Sequence, residues 1–320
     1  PSETTAVSTP TKDTSPDVVI TTTQAGTIVV AGTTGCAIGS ANVVSGQQTL
    51  TLTTITAGDG AYVCTITFTD SAGNAASALT LTSFTLDTTV ATPSETTVVS
   101  TPTNDATPDV VITTTEAGTI AVAGTSGCGL SSTATMTSGA NTVTLTITDS
   151  TEGAYVCTIT FTDTATNAAS ALTLTSFTLD TSVATPSETT AVSTPTNDAT
   201  PDVVITTTQA GTIAVAGTSG CGLSSTATMA SGANTVTLTI TDSTEGAYVC
   251  TITFTDSAGN AASALTLTSF TIDTSVATPS ETTAVSTPTK DTSPDVVITT
   301  TQAGTIVVAG TTGCAIGSAN

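Results

Sequence analysis

The stretch Gly60-Ala-Tyr-Val-Cys-Thr-Ile-Thr-Phe-Thr-Asp70 alternates between two sets of side chains, and it recurs as Gly153–Asp163 and as Gly246–Asp256. One set of alternate positions holds the large apolar side chains, and the other set holds Thr at three positions. This period of two is typical of a β-strand that buries one face. The stretch therefore predicts a central strand in each of three repeats, with a buried face formed by Tyr62, Cys64, Ile66 and Phe68.

Internal repetition extends over the whole chain, because the motif Pro-Ser-Glu-Thr-Thr begins at residues 1, 93, 186 and 279. Such a period predicts a tandem array. We expect three complete domains, at 1–92, 93–185 and 186–278. Residues 279–320 match residues 1–42 at every position. We interpret them as the N-terminal half of a fourth domain, and we expect the natural chain to continue.

Each repeat contains seven predicted strands, separated by turns rich in Gly, Pro, Asp and Asn. In the first repeat they are A (Thr4–Thr9), B (Asp17–Thr23), C (Thr27–Ala31), D (Asn42–Val44), E (Thr49–Ile55), F (Gly60–Asp70) and G (Ser77–Leu86). A bulge near Thr82 and Ser83 would bring the apolar residues of both halves of G to one face. Runs of helical period are missing. The sequence therefore predicts an all-β tandem array of seven-stranded immunoglobulin-like β-sandwich domains.

A Tyr two residues before a Cys on strand F supports this fold, because it matches the tyrosine corner of immunoglobulin-like sandwiches. The pairs are Tyr62 with Cys64, Tyr155 with Cys157 and Tyr248 with Cys250. We assign the three tyrosines a structural role.

Several runs in register resemble the bacterial Ig-like repeats of large extracellular surface adhesins and fibres. They are Asp70-Ser-Ala-Gly-Asn74, Ser83-Phe-Thr-Leu-Asp-Thr-Thr89, Thr101-Pro-Thr-Asn-Asp-Ala-Thr-Pro108 and Glu116-Ala-Gly-Thr-Ile120. The resemblance covers the whole chain and implies an extracellular, multi-domain stalk or fibre. The second repeat departs from it with Asp163-Thr-Ala-Thr-Asn167, which lacks the Gly.

Seven cysteines fall into one pair for each complete repeat, with Cys314 left over in the fourth. The end of strand C lies beside the start of strand F in such a sandwich, so the two cysteines of a repeat come close together. We predict disulfides, which imply an oxidising, extracellular setting. Free buried thiols are the alternative, and zinc is disfavoured because two Cys without His are too few ligands. The predicted pairs are Cys36–Cys64, Cys128–Cys157 and Cys221–Cys250.

Acidic residues cluster in the turns at the two ends of each predicted domain. The A–B turn, the E–F turn and the end of G lie at one pole, facing the B–C and F–G turns of the next domain. Oxygen ligands gathered there suit calcium, whereas the alternative is acidic turn residues in solvent. The calcium candidates are Asp13, Asp59, Asp87, Glu95, Glu116 and Asp163 at the first junction, and Asp105, Asp149, Asp180, Glu188 and Asp256 at the second.

The charge balance excludes several classes of function. Twenty-four acidic residues face two Lys, and the net charge of −22 disfavours nucleic acid. The chain has no His, which excludes Ser-His-Asp catalysis, and we predict no enzyme activity, no catalytic residue and no cofactor other than calcium. No apolar run approaches the roughly 20 residues of a membrane span.

These features predict a structural protein at the cell surface, the stalk of an adhesin or the shaft of an extracellular filament. Near-identical repeats suit a rod, which needs equivalent joints. The expected partners are neighbouring repeats of the same chain and identical chains in a filament. The alternative is an adhesive binding module that recognises a receptor or glycan and is made rigid by calcium.

Overall fold

The computed structural model describes residues 1–32, 35–38, 42–53, 58–122, 127–131, 134–149, 151–215, 220–224, 228–242, 244–309 and 313–316. All regular structure in these ranges is β-strand. The strands of the first repeat are β1 (Ser2–Thr5), β2 (Asp17–Thr22), β3 (Gly26–Gly32), β4 (Ala37–Ile38), β5 (Asn42–Val43), β6 (Gly46–Thr53), β7 (Gly60–Tyr62), β8 (Cys64–Asp70), β9 (Leu79–Thr80) and β10 (Phe84–Leu86).

The second and third repeats follow the same order of strands. The second contains β11 (Ser94–Thr97), β12 (Asp109–Thr114), β13 (Gly118–Val122), β14 (Cys128–Leu130), β15 (Thr135–Met136), β16 (Gly139–Ile147), β17 (Gly153–Tyr155), β18 (Thr158–Asp163), β19 (Leu172–Thr173) and β20 (Phe177–Leu179). The third contains β21 (Ser187–Thr190), β22 (Asp202–Thr207), β23 (Gly211–Val215), β24 (Cys221–Leu223), β25 (Thr228–Met229), β26 (Gly232–Ile240), β27 (Gly246–Tyr248), β28 (Thr251–Asp256), β29 (Leu265–Thr266) and β30 (Phe270–Ile272). Strands β31 (Ser280–Thr283) and β32 (Val297–Thr299) follow.

Each complete repeat is a sandwich of two four-stranded antiparallel sheets. In the first repeat, sheet I has the order β1-β2-β6-β4 and sheet II the order β5-β3-β8-β9. Strand β6 alternates as a half-buried strand should, with Leu50 and Leu52 in the core. In its counterpart β16, Val143, Leu145 and Ile147 are all buried. This confirms the predicted all-β, immunoglobulin-like sandwich.

Strands F and G are each divided in two, because each half has a different partner. The first half of F, β7, pairs with β10, whereas the second half, β8, pairs with β3 and β9. The division of G lies at Leu81–Ser83, where the bulge was predicted, and it brings Leu81, Phe84 and Leu86 into the core.

The strands of the first repeat also differ from the prediction in their bounds and number. Strand A ends at Thr5 rather than Thr9, because the chain leaves sheet I and Thr11 pairs in parallel with Leu86. A short strand, β4, was missed because two residues give no readable period. Strand E begins at Gly46, earlier than predicted, and the end predicted for it at Ile55 lies outside the described residues.

One core fills each complete repeat, and a stacked aromatic pair lies within it. The ring centroids of Tyr62 and Phe84 are 5.6 Å apart. The corresponding pairs of the next two repeats, Tyr155 with Phe177 and Tyr248 with Phe270, are each 5.9 Å apart.

A disulfide connects the two sheets in each complete repeat. Cys36 lies just before β4 of sheet I, and Cys64 begins β8 of sheet II. Their Cα atoms are 5.9 Å apart, as are those of Cys128 and Cys157 and of Cys221 and Cys250. Closing a loop of this length contributes about 3–4 kcal/mol in the chain-entropy model. Cys314 is free and exposed.

The chain divides into two compact units, Pro1–Ser182 with Ser257–Asn260, and Val183–Asp256 with Ala261–Asn320. Within the second unit, residues 279–320 expose side chains that the first repeat buries. Val296 and Ile298 are 46% and 38% exposed, whereas Val18 and Ile20, their counterparts, are 0% exposed. Val18 and Ile20 lie on β2, which pairs with β6 in a complete repeat.

Candidate functional site

The junction between the first two repeats lies within the first compact unit and is formed by three elements. They are the A–B turn of the first repeat, the residues that follow its strand β10, and the F–G turn at residues 163–167. The Lys12 ammonium donates to the backbone carbonyl of Thr166 at 2.8 Å. The acidic ends of the two repeats are therefore joined here by a bond between an ammonium group and a neutral carbonyl, not by two carboxylates that face each other.

Asn167 binds its own turn and the preceding repeat at the same time. Its backbone N–H donates to Asp163 Oδ1 and its side-chain Nδ2 to Asp163 Oδ2, both at 2.8 Å. The same Nδ2 donates to the carbonyl of Asp87 at 2.8 Å. Asp163 and Asn167 are only 5% and 9% exposed. Since buried polar groups need partners, these bonds hold both residues in the junction.

The first repeat has the same turn in an exposed setting, and so provides an internal comparison. Asn74 makes the same contacts with Asp70, at 2.8 and 2.9 Å, but Ala72 and Asn74 are exposed. Their counterparts Ala165 and Asn167 are buried. Docking against the preceding repeat thus buries a turn whose local hydrogen bonds are already formed.

An apolar contact accompanies these polar ones. Val90, which follows β10, packs against the core of the second repeat, and Val183 packs in the same way against the core of the third. The connecting residues therefore belong in part to the domain that follows them.

The E–F turn of each complete repeat holds the start of the connection through an acidic side chain. Asp59 accepts hydrogen bonds from the backbone and hydroxyl groups of Thr88, at 2.8 and 2.6 Å, and from the Thr89 hydroxyl. These bonds, the Thr88 hydroxyl first, lower the pKa of Asp59. Its counterparts are Glu152, bound by Thr181, and Glu245, bound by Thr274 and Ser275.

The pKa values of both glutamates are also lowered. Ser182 is the largest cause for Glu152 and Thr181 follows, whereas Ser275 and then Thr274 are the causes for Glu245. Neither glutamate was predicted as a site residue, although an acidic residue directly precedes the Gly-Ala-Tyr motif in every complete repeat.

The three tyrosines each bind the E–F turn. Tyr62 donates to the carbonyl of Gly58 at 2.6 Å, whereas the single hydroxyl proton of Tyr155 is shared between the carbonyl of Thr151 and the carboxylate of Asp149. Tyr248 binds Thr244 and Asp242 in the same way. The bond from Tyr155 is the main cause of the lowered pKa of Asp149, and it raises the pKa of Tyr155 itself.

Most of the other calcium candidates accept hydrogen bonds within their own repeats, but Glu95 Oε1, Glu116 Oε2 and Glu188 Oε1 are buried without a hydrogen-bond partner in the described part of the chain. Glu95 and Glu188 accept bonds from Thr175 and Thr268, while Asp13 and Asp105 form turns with Ser15 and Thr107. Asp87 and Asp180 accept long bonds of 3.4 and 3.3 Å from Thr89 and Ser182, and Asp256 is buried. The Glu116 backbone carbonyl accepts from Thr114.

Among the described residues, no three acidic or other metal-binding side chains form a group suited to a metal ion, and calcium stays a prediction.

One part of the chain matches a known protein family. Residues 182–274 match the family model of the bacterial Ig-like domain. Among solved structures, the chain is similar to invasin, described as a bacterial integrin-binding protein, with 16% identity and a TM-score of 0.32 over 87% of this chain and 60% of that one. It therefore spans less than two thirds of invasin.

Two further solved structures are similar to this chain. InvD of Yersinia pseudotuberculosis has 18% identity and a TM-score of 0.32, over 82% of this chain and 95% of that one. The D00-D0 domain of intimin has 18% identity and a TM-score of 0.25, over 55% and 98%. No curated protein matches the chain. No helix among the described residues is long and apolar enough to cross a membrane.

Proposed function

We propose that this chain, whose third repeat matches the bacterial Ig-like domain, is a non-catalytic structural segment of a cell-surface protein. Its repeats act as serial units of an extracellular stalk or shaft, bounded at residues 1–92, 93–185 and 186–278, with 279–320 as the first half of a fourth. Three disulfides support an oxidising, extracellular location.

The observation that carries this proposal is the hydrogen bond from Asn167 to the carbonyl of Asp87. A chain of independent binding domains needs only a linker between them. Here the turn of one repeat is buried against the end of the previous repeat, and Val90 packs into the following core. Such contacts restrict bending at the joint, which is what a stalk requires.

The aromatic side chains favour a structural role over the alternative of an adhesive binding module. Exposed Tyr, Trp and Phe commonly anchor ligands and partner proteins. This chain has no Trp, and its three Tyr and six Phe are all buried in the three cores. Recognition of a receptor or glycan by these repeats would have to do without aromatic anchors.

The sheet edges bear on the proposed assembly of identical chains into a filament. Long, unprotected edge strands invite pairing between molecules, and short ones discourage it. The edges of the first repeat are β1, with four residues, and β4, β5 and β9, with two residues each. We therefore favour a stalk of single chains over lateral filament assembly through strand pairing.

Calcium is a second proposal, which would add rigidity at the junctions. It follows from the net charge of −22 and from the acidic turns at the ends of each repeat. A calcium titration followed by thermal unfolding tests it. A rise in the melting temperature that magnesium does not reproduce supports the site, and an unchanged temperature excludes it.

Pulling the full chain from its two ends tests the structural role. Three complete disulfide-locked repeats should give three unfolding events of equal released length at comparable force. Gradual extension without discrete events would contradict the proposal. Binding of the wild-type chain to host glycans or surface receptors, with no resistance to force, would support the binding-module alternative.

A further inference from the structure

Two positions that face each other across a junction carry different residues at the first and the second junction. Where one of the two changes, the other changes as well. At the first junction, Lys12 of the A–B turn contacts Thr166 of the F–G turn. At the second, the equivalent residues are Asn104 and Gly259, which both lie within the first compact unit. A methyl group on Gly259 would lie 3.5 Å from Nδ2 of Asn104, so the Asn104 side chain lies beside this turn.

The backbone of Thr166 lies in the left-handed region, with φ of 73°. Among the described residues, it is the only residue other than Gly with a positive φ. The equivalent residues are Gly73 and Gly259, with φ of 85° and 96°. A β-branched side chain is unfavourable in this region, whereas Gly adopts it readily. Thr166 therefore needs a compensating interaction that the Gly turns do not need.

Lys12 provides that interaction, because its ammonium donates to the carbonyl of Thr166 itself. The long, linear side chain of Lys12 reaches the carbonyl with its terminal atom. The Asn104 amide is short and branched, and it lies 3.5 to 3.8 Å from the position that a side chain on Gly259 would take. Adding the two further heavy atoms of Thr there would crowd it.

We infer that the junctions belong to two classes with matched residues, Lys with Thr and Asn with Gly, and that these pairs specify which repeats stack in series. The inference goes beyond the proposed stalk function and depends on it only in that repeats dock end to end. The F–G turn of the first repeat carries Gly73 and Asn74. Its partner is therefore a repeat end that carries Asn, as residue 197 does, and not one that carries Lys.

A double-mutant cycle in the full chain tests the pairing. Hydrogen exchange of the Thr166 and Asn167 amides reports whether the first junction is docked. We expect Lys12→Asn to reduce their protection by about two- to tenfold, the usual range for one hydrogen bond. In a Thr166→Gly background, the same Lys12→Asn change should have an effect of less than about twofold.

The second junction supplies the reciprocal experiment. Gly259→Thr should reduce the protection of residues 257–260, and Asn104→Lys should restore it in the double variant. Lys290→Asn is the matched control, because it removes the same charge from the equivalent turn of the fourth copy and should leave residues 163–167 unchanged.

The outcomes separate this inference from the proposed function. Equal effects of Lys12→Asn in the wild-type and Thr166→Gly backgrounds, or Gly259→Thr tolerated without Lys at residue 104, would overturn the pairing alone. A wild-type chain with no more protection in residues 163–167 than in the exposed turn at residues 70–74 would overturn docking itself and with it the stalk.

Discussion

Asn167 donates its side-chain amide to the backbone carbonyl of Asp87, 80 residues earlier in the chain, at 2.8 Å. Asn260 has the same relationship to Asp180, also at 2.8 Å. In both cases an Asn that ends an F–G turn binds the residue directly after the last strand of the preceding repeat. A turn that each repeat needs for its own hairpin thus also forms the joint between repeats.

Replacing Asn167 with Ala should weaken the first junction more than it weakens the second repeat. The change removes the bond to Asp87 and the side-chain bond to Asp163 Oδ2, whereas the backbone N–H of residue 167 keeps its bond to Asp163 Oδ1. We expect faster hydrogen exchange in residues 87–92, with a smaller change in the core strand β18. Peptide-resolved exchange of the full chain provides the measurement.

Asn74→Ala is the matched control for this change, because Asn74 makes the same contacts with its own turn and is exposed. The difference between the two variants isolates the contribution of the junction. Equal effects in the two turns would mean that the bond to Asp87 does not hold the repeats together.

Acid should destabilise the chain through the glutamates of the E–F turns. The pKa values of Glu152 and Glu245 are lowered in the fold by their hydroxyl donors. A carboxyl with a lowered pKa stabilises the fold above its unfolded pKa, about 4.3 for Glu, and this stabilisation is lost as the pH falls through the folded value.

The variant Glu152→Gln with Glu245→Gln separates this effect from the loss of overall charge repulsion. Gln keeps an oxygen acceptor for Thr181 and Thr274 but does not titrate. We expect its free energy of unfolding to change less than that of the wild type between pH 6 and pH 3, as measured by urea denaturation. Parallel curves for the two proteins would show that these glutamates do not contribute to acid sensitivity.

Gly211 begins strand β23 at a point where the backbone of β28 approaches too closely for any side chain. A methyl group there would overlap the carbonyl oxygen of Thr255 and lie 2.8 Å from the Cα of Asp256. Gly211→Ala should therefore cost about 1–3 kcal/mol of stability, as overpacking does. Gly222→Ala is the control in the same repeat, since its nearest neighbour is the Thr239 carbonyl at 3.7 Å. Urea denaturation should show a loss for the first variant only.

The sequence predicted the sandwich well because its signals are local. The alternation around Tyr62 and Cys64 requires a half-buried strand whatever its neighbours are. The division of that strand at Val63 could not be predicted, because β7 and β8 have the same period and differ only in their partners. The identity of a strand's partners does not change its two-residue alternation, so the sequence does not reveal which strands pair.

The junction was predicted in position but not in chemistry. The F–G turn was predicted to lie beside the preceding repeat, and Asp163 was predicted as an oxygen ligand there, whereas no role was predicted for Asn167. An Asn in a turn is explained by its local hydrogen bonds alone, as Asn74 illustrates. The stronger signal was the departure from the repeat pattern, Lys at residue 12 and Thr at residue 166, and it can be recognised only when the two turns are known to meet.

The disulfides should control how much chain each repeat releases under force. Cys128 and Cys157 close a loop of 29 residues, which cannot extend while the bond is intact. Since an extended chain spans about 3.5 Å for each residue, reduction should lengthen each of the three released segments by about 100 Å. The Cys128→Ser/Cys157→Ser double variant, pulled without reductant, should lengthen one segment out of three. Cys314→Ser should change none, because that thiol is free. Released lengths that are the same with and without reductant would mean that the loops are not closed in the native protein, and the repeats would then resist force through their sheets alone.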